Sequence, residues 1–238
     1  MKFSFTVILL LLLAGCGSTD TGTTPVENAG CAPWPTGLMV GTALSDELLD
    51  VIIDERGNLY LAGYEGGTTG TTTLDPAGNA RGFILKYDRM GMPRDKLTLE
   101  TTGASTVEAL ALDRQTGELF LAGRTNGALA GYNNAGQFDL LVGWLHREEW
   151  LPRLAQFGNA RPQHPRRLAL GLSNEIVVAG YEDIYVPTNY VEAWENPLLA
   201  KFSRNNGTVV ETWNREFTTP SSDAFEGLTV APDGAVYV

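Results

Sequence analysis

The chain has 238 residues, of which 43% are hydrophobic, and it contains 27 glycines. This length and composition fit one large or two small β-rich globular domains and exclude an intrinsically disordered protein. The net charge is −11 and no cluster of lysine and arginine offsets it, so we expect the chain to repel phosphate backbones and not to bind nucleic acid.

The first residues have the layout of a secretory leader. Lys2 gives a positive start, and residues 3–13 form a mostly apolar run, too short for a bilayer span of about 20 residues. The run ends in four residues that match a known processing signal: Leu13, Ala14, Gly15 and Cys16. They resemble the lipobox of bacterial lipoproteins, in which the cysteine is acylated and the leader is cleaved before it.

The lipobox resemblance implies a signal peptide at 1–15 and a membrane anchor on Cys16. It places the protein in a bacterial cell envelope, at the outer membrane or the cell surface. Several acyl chains on one residue give stable anchoring, because each buried methylene adds about 0.8 kcal/mol. An ordinary cleaved leader with an incidental cysteine is the alternative.

Residues 16–36 are rich in threonine, glycine and serine with scattered proline, which predicts a flexible tether. Such a tether spans roughly 25 Å on average. Cys31 lies within it and has no intrachain partner once Cys16 is acylated, so a free thiol and a bond to another protein both remain open.

Residues 37–238 repeat one pattern about every 60 residues. Its landmark is an Ala-Gly pair that ends at Gly63, Gly123 and Gly180, with spacings of 60 and 57 residues. Each complete copy holds an alternating apolar run, a turn, the run that ends in Ala-Gly, a run that closes on an aromatic residue, and a short final run; the turn has glycine in the first two copies and Asn174 at that position in the third. These runs predict four antiparallel strands per copy. The copies are 46–103, 104–160, 161–215 and an incomplete 216–238.

Ten residues of the first copy match a known repeat: Asp54, Gly57, Asn58, Tyr60, Gly63, Phe83, Lys86, Tyr87, Asp88 and Gly91. They resemble the bacterial seven-bladed β-propeller repeat family. The resemblance implies an all-β propeller of four-stranded antiparallel blades, of which this chain holds about 3.5. Asp54 has a counterpart at Asp113 but none at Gly171 or Ala231, which favours a structural role for the repeated turn over a ligand loop.

Seven such blades need over about 400 residues, so we expect an incomplete ring. A truncated product of a longer protein is the first interpretation. An open arc that pairs with a second copy, and a ring unlike that of the family, are the alternatives.

The first candidate site lies on long loops between the second and third strands, at 65–81, 125–138 and 182–196. We expect these loops to share a face with the links between copies. The first two are rich in glycine, threonine and asparagine, which is typical of mobile surface loops. The third carries three aromatic residues that predict a ledge for a sugar or a peptide: Tyr185, Tyr190 and Trp194. Rings that pack this loop onto its own blade are the alternative.

The second candidate site is the central channel. Four charged residues precede or enter the innermost strands and are candidates to line it: Glu108, Arg166, Arg167 and Glu226. Acid–base chemistry is conceivable there, but a solvated channel rim is the simpler interpretation. The two histidines, His146 and His164, have no further ligand at metal spacing, and no cofactor motif is present, so neither a metal nor a cofactor is expected.

These observations predict a membrane-anchored, non-enzymatic lipoprotein whose propeller displays loops for the recognition of a protein or a glycan. A polysaccharide hydrolase or lyase of the envelope, with its site in the channel, is the alternative. A decayed fragment without a function of its own is a third hypothesis.

Overall fold

The computed structural model describes residues 41–42, 44–67, 80–172, 175–185, 193–218 and 221–238. Within these residues the regular structure is β throughout, with fourteen strands and no α-helix. Accordingly, nothing in this part of the chain qualifies as a helix that could cross a bilayer. The all-β prediction is therefore confirmed.

Three four-stranded antiparallel sheets follow one another along the chain. The first sheet contains β1 (Ser45–Ile53), β2 (Leu59–Gly67), β3 (Arg81–Tyr87) and β4 (Pro93–Thr98). The second contains β5 (Ser105–Asp113), β6 (Glu118–Thr125), β7 (Asp139–His146) and β8 (Arg153–Phe157). The third contains β9 (Gln163–Leu170), β10 (Ile176–Tyr185), β11 (Ala193–Asn205) and β12 (Thr208–Glu216).

A two-stranded fourth sheet closes the described chain, with β13 (Thr229–Val230) and β14 (Val236–Tyr237). In every sheet the strands lie in chain order, so each sheet is a meander. The first strand of each sheet contacts the first strand of the next, and the stack of sheets is open rather than closed into a ring.

The second strand of each four-stranded sheet is buried on both faces. We call the face toward the next sheet of the chain the forward face. In β6, Leu119 and Leu121 pack against the first sheet, and Phe120 and Ala122 pack forward against the third. A strand covered on both faces has a continuous run of apolar residues. Each fully buried large apolar side chain contributes about 1.5–3 kcal/mol to the free energy of unfolding. Face-to-face burial between sheets therefore holds the stack together.

The repeated Ala-Gly pair marks a β-bulge in the neighbouring first strand. A Cβ at Gly123 would lie 2.0 Å from the carbonyl oxygen of Thr106. The same approach is 1.9 Å at Gly63 and 2.0 Å at Gly180. Because real Cβ atoms do not approach backbone oxygens this closely, only glycine fits at these three positions. The repeated glycine is thus a packing requirement of the blade-like sheet.

The bulges place one extra residue in each first strand. The pairing register shifts leave Leu49, Glu108 and Arg166 without a cross-strand partner in β1, β5 and β9. Bulges redirect the side chain of the extra residue and often lie beside functional sites. Two of the charged residues predicted to line a channel, Glu108 and Arg166, are therefore bulge residues.

Asp54 closes the turn between β1 and β2. Its Oδ1 accepts hydrogen bonds from the backbone N–H of Arg56 (2.9 Å) and Asn58 (2.8 Å), and its Oδ2 accepts one from the Tyr60 hydroxyl (3.1 Å). Gly57 in the same turn has a φ of 79°, which favours glycine. This geometry supports the structural role that the sequence suggested for the repeated turn.

Burial by itself raises the pKa of the Asp54 carboxyl, but the hydrogen bonds from Asn58, Arg56 and Tyr60 outweigh burial and hold this pKa below its usual range. A lowered pKa stabilises the folded state fully above the unfolded-state pKa, and this contribution is lost as the pH falls through the folded-state pKa. Asp54→Asn should therefore lower the free energy of unfolding by about 1–3 kcal/mol at pH 7. In urea titrations the difference from wild type should shrink below about pH 4. A difference that stays constant down to pH 3 would contradict the assignment.

The strands are longer and the loops shorter than the sequence predicted. β2 extends to Gly67, β10 extends to Tyr185, and β11 begins at Ala193, so the predicted loops at 65–81 and 182–196 were drawn too wide. Cross-strand pairing between β10 and β11 continues through these residues. Pairing with a neighbour decided their conformation, although their composition is typical of a loop.

The loop between β6 and β7 is anchored, which differs from the mobile loop predicted for 125–138. The Gln156 side chain accepts a hydrogen bond from the backbone N–H of Leu129 (2.9 Å). Asp139 Oδ2 accepts one from the backbone N–H of Ala135 (2.9 Å). Buried side chains of β7 and β8 therefore hold the loop against the second sheet.

The links between sheets contact the loops between second and third strands, as the sequence predicted. The backbone N–H of Thr102 donates to the carbonyl of Ala128 (3.1 Å), and that of Asn126 donates to the carbonyl of Ala104 (3.1 Å). We use the name loop face for the side of the stack formed by 99–104, 126–138, 158–162, 217–218 and 221–228.

Candidate functional site

The structure describes only part of the predicted aromatic ledge. Trp194 lies in β11 opposite Ile184 rather than in a loop, and 39% of its surface is exposed. Tyr185 ends β10, where its backbone pairs with Ala193. Tyr190 lies outside the described residues. Trp194 is therefore the one member of the ledge whose side chain the structure places.

The charged residues predicted for the channel separate into a buried and an exposed group. Glu108 is buried and forms an ion pair with Arg124, with 2.6 Å between Glu108 Oε1 and Arg124 Nε. The Thr106 hydroxyl donates to the same Glu108 oxygen at 3.0 Å. The exposed fractions of the Arg124 and Glu108 side chains are 6% and 7%, so water screens this ion pair little.

His164 extends this ion pair from the second sheet to the third. Arg124 Nη1 contacts His164 Nδ1, and His164 Nε2 lies 3.0 Å from Asp183 Oδ2. A guanidinium donates hydrogen bonds and accepts none, so Nδ1 must be the acceptor and carry no proton. The proton of the neutral ring therefore lies on Nε2, from which it is donated to Asp183.

Aromatic rings also lie against the imidazole of His164. It stacks on the Tyr181 ring with 4.4 Å between centroids and an interplanar angle of 6°, and Phe138 lies 6.4 Å away in a tilted arrangement. Only 5% of His164 is exposed. Both ring nitrogens and one ring face are occupied, so this histidine orients and joins its neighbours and offers no free nitrogen to a substrate.

We name Glu108, Arg124, His164 and Asp183 the rim network. Glu108 and Arg124 lie in β5 and β6, and His164 and Asp183 lie in β9 and β10. The network therefore connects the first two strands of the second sheet to the first two strands of the third.

An outer layer of polar side chains covers the rim network. Arg166 Nη2 donates to the Tyr181 hydroxyl at 3.3 Å, and the Arg166 guanidinium lies 5.1 Å above the Tyr181 ring. Arg166 Nε lies 3.8 Å from Oε1 of the exposed Glu226. Burial raises the pKa of Tyr181 to about 12, so its hydroxyl stays protonated at neutral pH. Tyr181 itself is buried, and Arg166 and Glu226 reach solvent beside the first strand of the third sheet.

The remaining predicted channel residue, Arg167, is exposed in β9 and donates from Nη1 to the carbonyl of Arg166 (2.8 Å). Asp50 of β1 lies near it, and its Oδ2 accepts a hydrogen bond from the backbone N–H of Leu110 (2.7 Å). Burial raises the pKa of Asp50, and the hydrogen bonds from Leu110 and Val51 and the charge of Arg167 only partly oppose this increase. Charged groups of β1 and β9 thus approach each other at the inner edge of the stack.

Sequence reasoning missed most of this site. It did not select Arg124, Tyr181, Asp183 or Asp50, and it assigned His164 to a link between copies. A signal was present, because Arg124 and Tyr181 directly follow the Ala-Gly pair in their copies. Aligning the copies at this glycine would have selected the position.

The rim holds charged and hydrogen-bonding groups, but in the described part of the chain no three histidine, cysteine or acidic side chains come together as metal ligands. The outer layer can bind a polar ligand through Arg166, Tyr181 and Glu226. In comparisons with known proteins, no protein-family model and no curated protein matches this chain.

Proposed function

We propose that this protein is a lipid-anchored, non-enzymatic lipoprotein of a bacterial envelope. Its sheet domain is part of a β-propeller, and the loop face with the adjoining rim binds a protein or a glycan. Cys16 anchors it to the membrane, and residues 16–36 hold the domain away from the lipid surface.

The packing of the sheets supports the propeller interpretation. Successive sheets are meanders of the same order, and their first strands β1, β5, β9 and β13 contact one another in sequence. The equivalent bulges in β1, β5 and β9 repeat the same geometry in each sheet. In a propeller the first strand of each blade is the innermost. The bulge residues then face the axis of the ring.

The observation that carries the binding proposal is the two-layer arrangement of the rim. The four residues of the rim network contact one another across two sheets, whereas Arg166 beside it is partly exposed and Arg167 and Glu226 are exposed. Ligand sites combine a preformed scaffold with a few such polar groups. Arginine and tyrosine are also side chains that commonly dominate binding energy.

One observation favours the alternative, a polysaccharide hydrolase or lyase. His164 and Asp183 form the hydrogen-bonded pair that a general base and its orienting carboxylate form in many enzymes. Such a base needs one free nitrogen directed at the substrate, and Arg124 occupies the other nitrogen of His164. The binding function therefore has the stronger support.

A glycan array tests the binding function. The detergent-solubilised protein should bind a subset of glycans, and Arg166→Ala should weaken this binding about tenfold or more, because a hydrogen bond from a charged group contributes about 1.5–3 kcal/mol. Arg56→Ala is the matched control, since Arg56 pairs with Glu148 away from the rim. Trp194→Ala tests whether the glycan binds at the exposed Trp194 in β11 rather than at the rim.

The array also defines what would contradict these assignments. Equal binding by wild type and Arg166→Ala would exclude the outer layer, and loss only in Trp194→Ala would move the site to β11. Release of new reducing ends from a bound polysaccharide would favour the enzyme.

The lipid anchor is tested by metabolic labelling with palmitate. We expect label on the wild-type protein and its complete loss in Cys16→Ser, with transfer of the protein from the membrane to the soluble fraction. Cys31→Ser is the matched control and should keep both the label and the membrane fraction. Unchanged labelling of Cys16→Ser would reject the anchor.

A further inference from the structure

The Arg166 guanidinium is held against a buried aromatic ring. It lies 5.1 Å from the centroid of the Tyr181 ring, and the His164 imidazole stacks on the same ring with 4.4 Å between centroids. Tyr181 and His164 are both buried, so the group that orients Arg166 is itself fixed inside the protein. An arginine oriented by an aromatic ring is prepared for the planar, two-point recognition of a carboxylate.

The hydrogen-bonding capacity of Arg166 is not fully used. Its Nη2 donates to the Tyr181 hydroxyl at 3.3 Å, whereas its Nε has no hydrogen-bond partner in the part of the chain that the structure describes. Oε1 of Glu226 lies 3.8 Å from this Nε, which is within reach of an ion pair but too long for a hydrogen bond. Glu108, the bulge residue of the preceding sheet, is paired with Arg124 instead. A better placed carboxylate can therefore replace Glu226 at Arg166.

A second arginine lies directly beside Arg166. Arg167 is exposed, and its Nη1 donates to the carbonyl of Arg166 at 2.8 Å. The nearby Asp50 carboxylate accepts hydrogen bonds from two backbone N–H groups, those of Val51 (2.8 Å) and Leu110 (2.7 Å). Both of its oxygens are thus engaged by the backbone. Two adjacent arginines in a chain with a net charge of −11 make this a local point of attraction for an acidic ligand.

The groups around Arg166 favour a sugar over a peptide strand. A peptide strand pairs with a regular strand edge, but β9 is bulged at Arg166, and the preceding Pro165 has no N–H to donate. A sugar hydroxyl both donates and accepts hydrogen bonds, so it can use an arginine and the Glu226 carboxylate side by side. The ligand that matches these groups is therefore a sugar that carries a carboxylate.

We propose that Arg166 binds the carboxylate of a uronic acid in an acidic glycan, and that Glu226 is an internal competitor which this carboxylate displaces. The inference rests on the glycan binding proposed above and names its ligand class. The bound carboxylate accepts hydrogen bonds from the Arg166 guanidinium, and the displaced Glu226 carboxylate accepts one from a sugar hydroxyl. Arg167 adds a second positive charge beside the bound carboxylate.

Isothermal titration calorimetry with matched sugars tests the ligand class. The probes are tetrasaccharides of glucuronate, galacturonate and mannuronate, each compared with its own carboxyl-reduced, neutral form. We expect the detergent-solubilised full chain to bind at least one acidic probe about tenfold or more tightly than its neutral form, because charge-assisted hydrogen bonds are the stronger ones. Arg166→Ala should remove this preference. Arg166→Lys should restore only part of it, because lysine lacks the planar fork of arginine.

Glu226→Gln tests the role of the internal competitor. It should strengthen the binding of the acidic probe about two- to fivefold and leave the neutral form unchanged, because a weak, exposed ion pair no longer has to be broken. Arg56→Ala is the matched control and should bind like wild type, since Arg56 pairs with Glu148 away from the rim. If Arg166→Ala does not fold, as judged by far-ultraviolet circular dichroism, Arg166→Lys and Glu226→Gln provide the comparison.

The contradicting results are distinct from a failure of the proposed function. Equal binding of acidic and neutral probes, or array binding of neutral glycans without any acidic probe, would overturn the carboxylate proposal and leave glycan binding standing. A tetraglutamate peptide that binds through Arg166, while the acidic sugars do not, would overturn it in favour of acidic peptides. Unchanged affinity of Glu226→Gln would overturn the role of Glu226. Absence of binding to every sugar in both experiments would reject the glycan-binding function itself.

Discussion

Replacing Gly123 with alanine is expected to lower the free energy of unfolding by about 3 kcal/mol. The new Cβ would lie 2.0 Å from the carbonyl oxygen of Thr106 and 3.0 Å from its carbonyl carbon. Both obstacles are backbone atoms, so no change of rotamer relieves the clash and the bulge at Glu108 must open. Chemical denaturation followed by tryptophan fluorescence measures the loss.

Gly227→Ala is the matched control for this substitution. No atom lies within 4 Å of a Cβ at Gly227, and its backbone is outside the left-handed region. Its stability should stay within about 0.5 kcal/mol of wild type. Similar losses in both variants would show that the effect comes from the general cost of removing glycine rather than from the bulge.

Arg124→Met is the second substitution with a large expected effect. It leaves the buried carboxylate of Glu108 without this cation and removes the donor to His164 Nδ1. Breaking a buried ion pair on one side costs about 3–5 kcal/mol, because the remaining charge stays desolvated. Urea titration at pH 7 measures the change.

Two further variants separate this effect from a simple loss of side-chain volume. Arg56→Met removes one member of a pair in which both side chains are more than half exposed, and such a surface pair contributes less than about 1 kcal/mol. Combining Arg124→Met with Glu108→Gln should cost less than the sum of the single substitutions, because the second change removes the uncompensated charge. Strict additivity would contradict a direct Glu108–Arg124 interaction.

The rim network has a structural consequence. Its polar groups contact one another across two sheets, so it stabilises the junction of the second and third sheets beside Arg166.

The predicted loop at 182–196 was too long, and the reason can be identified. The segment around Trp194 contains proline, asparagine and several carboxylates, a composition typical of loops. Its ends nevertheless continue β10 and β11, because ten successive residue pairs, from Ile176–Phe202 to Tyr185–Ala193, align without a register shift. Backbone pairing across a sheet overrode local composition there.

Local patterns determined the elements that depend on neighbours in the chain. The period-two apolar runs predicted the strands, and the turn glycines predicted positive φ angles, which are 79° at Gly57, 74° at Gly117 and 87° at Gly234. The 60-residue repetition predicted meanders of four strands, because each copy contains its own hairpin signals.

Only the tertiary structure determined which residues of different strands and sheets contact one another. The glycine of the Ala-Gly pair is required by the carbonyl of another strand, and Arg124 meets His164 across 40 residues of sequence at the junction of two sheets. Such contacts depend on the stacking angle and spacing of whole sheets, which no short pattern encodes. The sequence alone therefore determined the repeated unit, whereas packing between units created the rim network.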